Sequence, residues 1–393
     1  MKIYSNGVYN GGYMTKQTTQ TIIGVPKEIK QGEKRVGMKP SKKGAAELSR
    51  KGFSVLVEKS AGQGSGFKDK QYIDSGAKIA AAHKVWTEAD LIVKVKEPLP
   101  EEFRYFRSGL FIFCFFHLAP NRNLVNALIR SGVTAIAYET VGLDGLTPIL
   151  KSMSNIAGRV GCEEGKRILM ENKGILLGSH ANVMILGLGN AGLAAAKQIL
   201  NPLNPEGVPA NLFAVDSNPE KLENFRKIFH PHFDYTKIQC IQYNPRAISS
   251  ILPRIDLLIG TTHIPGQLQQ KLITKKMIQS MTPGSVVVDI SIDQGGCFET
   301  SMPTSIAVRT FEKYGVTHYC VPNMPGIVPR ESTNALTAET FPYIAELSAN
   351  GFLRAVRENS ALAAGVNVYN GKITHKGLAD SIGAKYSPLE QLI

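Results

Sequence analysis

The stretch from residue 183 to 216 constrains the fold more than any other part of the chain. It reads Val183-Met184-Ile185-Leu186, then Gly187-Leu188-Gly189-Asn190-Ala191-Gly192, an alanine-rich helical segment, and Leu212-Phe213-Ala214-Val215 ending in Asp216. An apolar strand that runs into G-x-G-x-x-G, a helix, and a second strand closed by a carboxylate form the pattern of a dinucleotide-binding βαβ unit. Gly187 permits the tight turn, Gly189 lets the backbone approach a pyrophosphate, and Gly192 lets the helix pack close to the strand. The helix N-terminus then offers unpaired N–H groups to the phosphates. Asp216 is placed to accept hydrogen bonds from ribose hydroxyls, and its charge repels a 2′-phosphate, so the expected cofactor is NAD rather than NADP. The bland alternative is a tight βαβ turn with no ligand.

Short apolar, β-rich runs alternate with helical patterns through most of the remaining sequence, which argues for parallel α/β sheets. Strands are expected near 21–25, 54–58, 91–95, 110–116 and 134–138, with helices between them such as Ser41–Arg50 and Asn121–Ser131. A helix over Ser154–Asn172 leads to a second set of strands near 183–186, 212–215, 238–242, 256–259, 285–290 and 316–321, the six of a full dinucleotide fold. Helices over Ser332–Ser348 and Gly351–Glu358 follow, then Val366–Ile373 with the Asn370-Gly371 signature of a tight hairpin. This tail has too little strand to form its own sheet and is expected to pack back on the first unit. The fold class is therefore α/β, with two doubly wound Rossmann-like domains. An NAD domain (151–326) is inserted into a discontinuous substrate domain (1–150 and 327–393), with residues 1–20 a flexible tail and Met14 an alternative start.

Bulk composition narrows the class further. The 393 residues contain 43% hydrophobic and 20% charged side chains, ordinary for a globular protein. No apolar run approaches the ~20 residues of a membrane span; the longest, Leu110 to Leu118, already contains His117. No apolar stretch of a secretory signal occurs near Met1, and the five cysteines form no C-x-x-C pair, so reduced thiols in a cytoplasmic protein are expected. The net charge is +13, and residues 1–50 hold ten Lys/Arg against three Glu. Without a recognition motif or interleaved aromatics, this charge reads as a solvated surface and a pocket for anionic ligands, with no nucleic acid and no membrane as partner.

In doubly wound sheets ligands bind beyond the carboxyl ends of the strands, and several polar residues fall there. Lys96 ends one apolar strand, His117 another; Asp293 follows Val286–Ile290, Asn323 follows His318–Val321, and Arg35 lies on the loop after the first strand. Two cations, an imidazole, a carboxylate and an amide suit an anionic 2-oxo or 2-amino acid and proton transfer coupled to hydride transfer. Each has a plainer reading taken alone: a solvated charged loop for Arg35, an ordinary surface pair for Lys96–Glu97, a core histidine for His117, turn or capping chemistry for Asp293 and Asn323. Their shared topological position favours the joint reading.

Several segments carry a resemblance over nearly the whole chain from Ile22 onward. They are Gly24-Val25-Pro26-Lys27-Glu28 with Glu33-Lys34-Arg35-Val36, Lys94-Val95-Lys96-Glu97-Pro98, Phe116-His117-Leu118-Ala119, and Ala137-Tyr138-Glu139-Thr140. Met153-Ser154, Ile292-Asp293-Gln294-Gly295-Gly296-Cys297-Phe298-Glu299 and Asn323-Met324-Pro325-Gly326 complete them. In these the chain resembles the alanine dehydrogenase family, relatives of the N-terminal part of the transhydrogenase α subunit. The resemblance implies NAD-dependent oxidative deamination of L-alanine to pyruvate and ammonium. It implies that Arg35 and Lys96 hold the substrate carboxylate, Arg35 as a bidentate partner. His117 is then the acid/base, Asp293 positions water or ammonia, and Asn323 lines the site. Ser154, Gly187, Gly189, Gly192, Asp216 and Met324 hold NAD.

The resemblance further implies a homohexamer. Metal dependence is left open and no metal ligand is assigned: Glu139 is a candidate ligand, but one carboxylate is no metal site. The chain departs from the family in a shorter approach loop, Leu177-Gly178-Ser179-His180-Ala181, and in Thr262-His263-Ile264-Pro265-Gly266. Two other functions fit a chain of this kind: a soluble NAD-binding subunit of a proton-translocating transhydrogenase, and an imine-reducing amino acid/keto acid oxidoreductase.

Overall fold

The structure, a computed structural model, describes residues 21–178, 181–201, 209–230, 237–262 and 270–393. The expected tail at 1–20 with Met14, the Ser179-His180 step of the approach loop, and His263-Ile264-Pro265-Gly266 lie outside the described residues. In the first part of the chain come β1 (Ile22–Val25), α1 (Ala45–Arg50), β2 (Ser54–Glu58), α2 (Asp69–Asp74) and β3 (Lys78–Ala80). They are followed by α3 (Ala82–Glu88), β4 (Leu91–Lys96), β5 (Phe111–Phe115), α4 (Arg122–Ser131) and β6 (Thr134–Ala137). The middle of the chain forms α5 (Pro148–Lys173), β7 (Asn182–Leu186), α6 (Asn190–Ile199), β8 (Asn211–Asp216), α7 (Pro219–Phe229), β9 (Lys237–Gln242) and α8 (Pro245–Ile251). It continues with β10 (Leu257–Gly260), α9 (Lys275–Gln279), β11 (Val286–Asp289), β12 (Thr310–Lys313) and β13 (Val316–Tyr319). The last elements are α10 (Pro329–Glu358), α11 (Ser360–Gly365), β14 (Val366–Tyr369), β15 (Lys372–Ile373) and α12 (Lys376–Ile382).

Both sheets share one topology. In the second, the order β9-β8-β7-β10-β11-β13 is the doubly wound 3-2-1-4-5-6 arrangement, all parallel, with β12 added antiparallel at the edge. In the first, β3-β2-β1-β4-β5-β6 repeats it, and β14 and β15 extend the edge antiparallel. The hairpin near the C-terminus thus joins the first sheet, with β14 paired to β6. Runs such as Val286–Val288 are apolar throughout because helices cover both faces of a parallel strand.

Two strands were not expected. β3 is three residues long and partly exposed, and β12 has no buried residue, so neither shows the apolar run by which the others are recognised. The helix expected from Ser41 begins at Ala45. α5 begins at Pro148, six residues before the expected Ser154, because proline suits the first helical turn. The two helices expected after Pro329 are one element broken at Gly351, whose φ of 69° and ψ of 166° are non-helical.

One continuous core links the two sheets. It runs from Ile23, Val93 and Phe113 through Ile156 and Val160 of α5 and Leu336 and Ile344 of α10 to Val183, Ile185, Ile259 and Val288. The outer sheet faces carry separate cores, around Ile92, Ile112 and Leu124 in one and around Met184, Phe213 and Val287 in the other. α5 lies close on the second unit because glycines line it at helical spacing. A Cβ on Gly158 would come within 2.1 Å of the Ala191 carbonyl oxygen, and one on Gly165 within 2.8 Å of Leu257.

Candidate active site

Reversal of strand order opens a crevice between β1 and β4 in the first sheet and between β7 and β10 in the second. Arg35 lies on the loop that leaves β1, and Lys96 is the last residue of β4. The glycine turn leaves β7, and Thr261 follows β10. The topology therefore brings the Arg35 loop and the end of β4 to one crevice, and the glycine turn and Thr261 to the other.

Arg35 is buried, with 3% of its surface exposed, and its guanidinium is almost saturated. Its Nε donates to Glu33 Oε1 at 2.8 Å, and its Nη2 donates to Glu33 Oε2 at 2.6 Å and to Asn323 Oδ1 at 2.7 Å. Nη1 lies 3.4 Å from Met153 Sδ. The fork expected to take a substrate carboxylate is thus already filled by Glu33. Burial pushes the Glu33 carboxyl up, but the Arg35 charge and hydrogen bonds outweigh it and hold it down at about 2. Asn323 Nδ2 donates to Glu33 Oε2 at 3.0 Å, and the Asn323 backbone N–H donates to Asp293 Oδ2 at 3.0 Å. Asn323 adopts a left-handed φ of 54°, which aims that N–H toward Asp293. Four residues from both units, Glu33, Arg35, Asn323 and Asp293, form one connected network.

The two lysines of β4 have different surroundings. Lys94, 1% exposed, donates to Glu102 at 2.7 Å, lies 3.5 Å from Glu28 and sits over the Trp86 ring. Lys96 is depressed below the usual lysine range, first by burial and then by the positive charge of Arg35, with Asp293 and Glu33 opposing. The β4–β5 register shifts between Val93 and Lys96, which breaks strict alternation at the strand end. Glu28 Oε1 accepts the Val95 N–H at 2.6 Å and ties this irregular end down.

His117 is exposed at the end of β5, with φ of 47°, and its ring stacks on Phe115 at a centroid distance of 6.2 Å. Glu139, the candidate metal ligand, instead accepts the backbone N–H groups of Phe116 at 3.1 Å and His117 at 2.7 Å. Burial raises its pKa, and these backbone hydrogen bonds oppose the rise. Its role here is to hold the strained turn that presents His117, and no group of three potential ligands occurs among the described residues.

Asp293 is exposed on the turn after β11. Asp289, 0% exposed, ties both ends of that turn: it accepts from Ser291 N at 3.0 Å, Cys297 N at 2.9 Å and Ser301 Oγ at 2.5 Å. Sequence reasoning placed Asp289 only as a strand residue. It also missed Glu33, whose charged run reads as a solvated loop, although its position two residues before Arg35 was visible.

The glycine turn meets each geometric demand of its pattern. Gly187 has φ of 100°, and nothing lies within 4 Å of a Cβ built on Gly189, so its face is open to a ligand. A Cβ on Gly192 would sit 2.0 Å from the Gly187 carbonyl oxygen. That carbonyl accepts from the buried Thr261 hydroxyl at 2.6 Å, which joins β10 to the turn. Asp216 Oδ2 accepts the Leu188 N–H at 2.7 Å, and Oδ1 accepts that of Asn218 at 2.9 Å. Ser154 lies one helical turn before Gly158, the residue packed against the start of α6. Met324 is buried in the shared core, 2% exposed, in the 3₁₀ turn after Asn323. An open glycine cradle and a helix end that offer donors, with an accepting carboxylate on the neighbouring strand, fit a dinucleotide.

Comparison with known proteins agrees in extent. The model of the alanine dehydrogenase/PNT N-terminal domain matches residues 24–157, and that of the C-terminal domain matches residues 164–376. An alanine dehydrogenase of Staphylococcus haemolyticus is 43% identical over 381 residues, covering 94% of this chain and 99% of that protein. A solved L-alanine dehydrogenase superposes with a TM-score of 0.83 at 39% identity, covering 92% of this chain and 99% of that one. The transhydrogenase of Sinorhizobium meliloti has a TM-score of 0.75 at 23% identity, with 90% and 99% covered, and shares the fold.

Proposed function

The chain belongs to the alanine dehydrogenase/PNT family, and from that premise we propose that it is an NAD-dependent L-alanine dehydrogenase. The reaction is L-alanine + NAD⁺ + H₂O ⇌ pyruvate + NH₄⁺ + NADH + H⁺. The observation that carries this reading is the meeting of Arg35, Asn323 and Asp293, from both units, in one network.

NAD, when bound, exchanges a hydride with the substrate α-carbon. The glycine turn, Ser154, Asp216 and Met324 hold it, within a unit taken as 151–326. Arg35 and Lys96, on the unit formed by 1–150 and 327–393, bind the substrate carboxylate and fix the α-carbon. His117 takes and returns the proton of the oxygen at that carbon, a task suited to an imidazole whose unperturbed pKa is ~6.5. Asp293 orients the incoming water or ammonia. By family resemblance the protein works as a cytoplasmic homohexamer on small molecules.

The test is NADH absorbance with pyruvate and ammonium. Oxidation that requires both substrates, and that is lost in His117→Ala and Asp293→Asn, is the expected result. NADH binding without ammonium-dependent turnover would overturn the proposal and favour a transhydrogenase subunit; turnover only with a bulkier amine would favour an imine-reducing enzyme.

A further inference from the structure

We propose that Glu33 is a positioning residue for the substrate carboxylate. By filling the Nε–Nη2 face of Arg35, it leaves the Nη1 end as the place where that carboxylate binds. The inference rests on the dehydrogenase reading above.

Glu33 and Arg35 are both buried, their side chains 1% and 2% exposed. Glu33 Oε1 accepts three N–H groups, from Arg35 Nε at 2.8 Å, Arg35 N at 2.9 Å and Lys34 N at 3.1 Å. Oε2 accepts two more, from Arg35 Nη2 at 2.6 Å and Asn323 Nδ2 at 3.0 Å. Asn323 Oδ1 in turn accepts from Nη2, which closes a ring of three residues between the loop after β1 and the turn after β13. A diffusing carboxylate pays for its own immobilisation on binding, whereas Glu33 is held by the fold and wins this face of the guanidinium. The Nη1 end is different. Its neighbour there is the thioether sulfur of Met153 at 3.4 Å, a weak acceptor that an anionic oxygen replaces with a gain. Lys96 is electrostatically coupled to Arg35, Asp293 and Glu33 and supplies the second cation of the site. One carboxylate thus sets where the substrate sits relative to Asn323 and, through the Asn323 backbone N–H, to Asp293.

The experiment is steady-state kinetics of the full chain and of Glu33→Gln and Glu33→Ala, with thermal melting and NADH fluorescence titration beside it. In Glu33→Gln, kcat is expected to fall about a hundredfold through misplacement, with NADH affinity unchanged. In Glu33→Ala, the vacated face of Arg35 admits a second pyruvate, so inhibition by excess pyruvate appears and added formate restores kcat. A merely structural Glu33 lowers the melting temperature but leaves kcat and the pyruvate KM of the folded enzyme at parental values, without formate rescue; that result overturns the proposal. Should the alanine variant not fold, Glu33→Asp is read by kcat and the pyruvate KM alone: its shorter carboxylate cannot span the same contacts, so kcat is expected to fall, and parental values overturn the proposal. An inactive parent chain sinks the dehydrogenase reading itself, a result distinct from both.

Discussion

Asp216 Oδ2 accepts the backbone N–H of Leu188 at 2.7 Å, so the acid at the end of β8 is built into the glycine turn it faces. One carboxylate therefore shapes the cradle, and in the function proposed above it also guards the ribose position. Lys221 Nζ lies 3.8 Å from the same oxygen. In Asp216→Asn the repulsion of a 2′-phosphate is gone while Lys221 remains. The NADH KM is expected to rise about tenfold, a loss of ~1.4 kcal/mol, and the ratio of NADPH to NADH efficiency is expected to rise with it. Kinetics with both cofactors check this; unchanged discrimination would remove Asp216 from cofactor selection.

Gly189 and Gly192 separate binding from folding. Gly189→Ala places its methyl in open space, so the melting temperature should stay near that of the parent while NADH binding weakens by at least about tenfold. Gly192→Ala drives a methyl into the Gly187 carbonyl, and destabilisation of about 1–3 kcal/mol is expected from this overpacking. Melting curves and NADH titration of the two variants should therefore give opposite patterns.

Replacement of His117 by Asn is expected to lower kcat by about 10²–10⁴, the range for loss of general acid–base catalysis. NADH affinity and melting temperature should hold, because the ring is exposed and its turn is fixed by Glu139 through the backbone. A pre-steady-state measurement of the hydride step distinguishes this from slower product release.

Glu28 makes stability depend on pH. Two buried carboxylates, Glu28 and Glu102, face one ammonium, Lys94, and Glu102 holds it more closely. Burial therefore leaves Glu28 protonated up to about 7, against 4.5 in the unfolded chain. The folded state binds the extra proton, so this contribution is complete below about 4.5 and is lost as pH rises through about 7. Its size is on the order of 1–3 kcal/mol. Glu28→Gln removes the titration: relative to the parent, its melting temperature should climb between roughly pH 5 and roughly pH 8. A constant difference across that range would show that Glu28 does not titrate there.

The parts legible in the sequence were those written in local pattern. The apolar runs of β4, β7 and β10, and the turn Gly187–Gly192, each contain within a few residues the physics that forms them. Arg35, Lys96, His117, Asp293 and Asn323 were singled out by their place at or after strand ends, and the structure joins Arg35, Asn323 and Asp293 directly. What sequence could not show was pairing over distance. Glu33 is two residues from Arg35, but its bond to Asn323 spans 290 positions. The Asn323 partner of the guanidinium was hidden for that reason. Asp289 and Thr261 were hidden for another: each acts through bonds to backbone atoms of a neighbouring loop, which leave no periodic trace. β3 and β12 escaped because short edge strands are not covered on both faces.

The pairing of β14 with β6 also orders events in time. Val366–Tyr369 emerges from the ribosome more than two hundred residues after Thr134–Ala137. Throughout that interval β6 presents a bare row of backbone donors and acceptors, while all seven strands of the second sheet are synthesised between them. The inserted unit can therefore complete its hydrogen bonding first, and the unit that starts the chain is the last to close. An unprotected strand edge during translation is a place where nascent chains meet one another, so the yield of this protein in cells should depend on how quickly its final hairpin arrives.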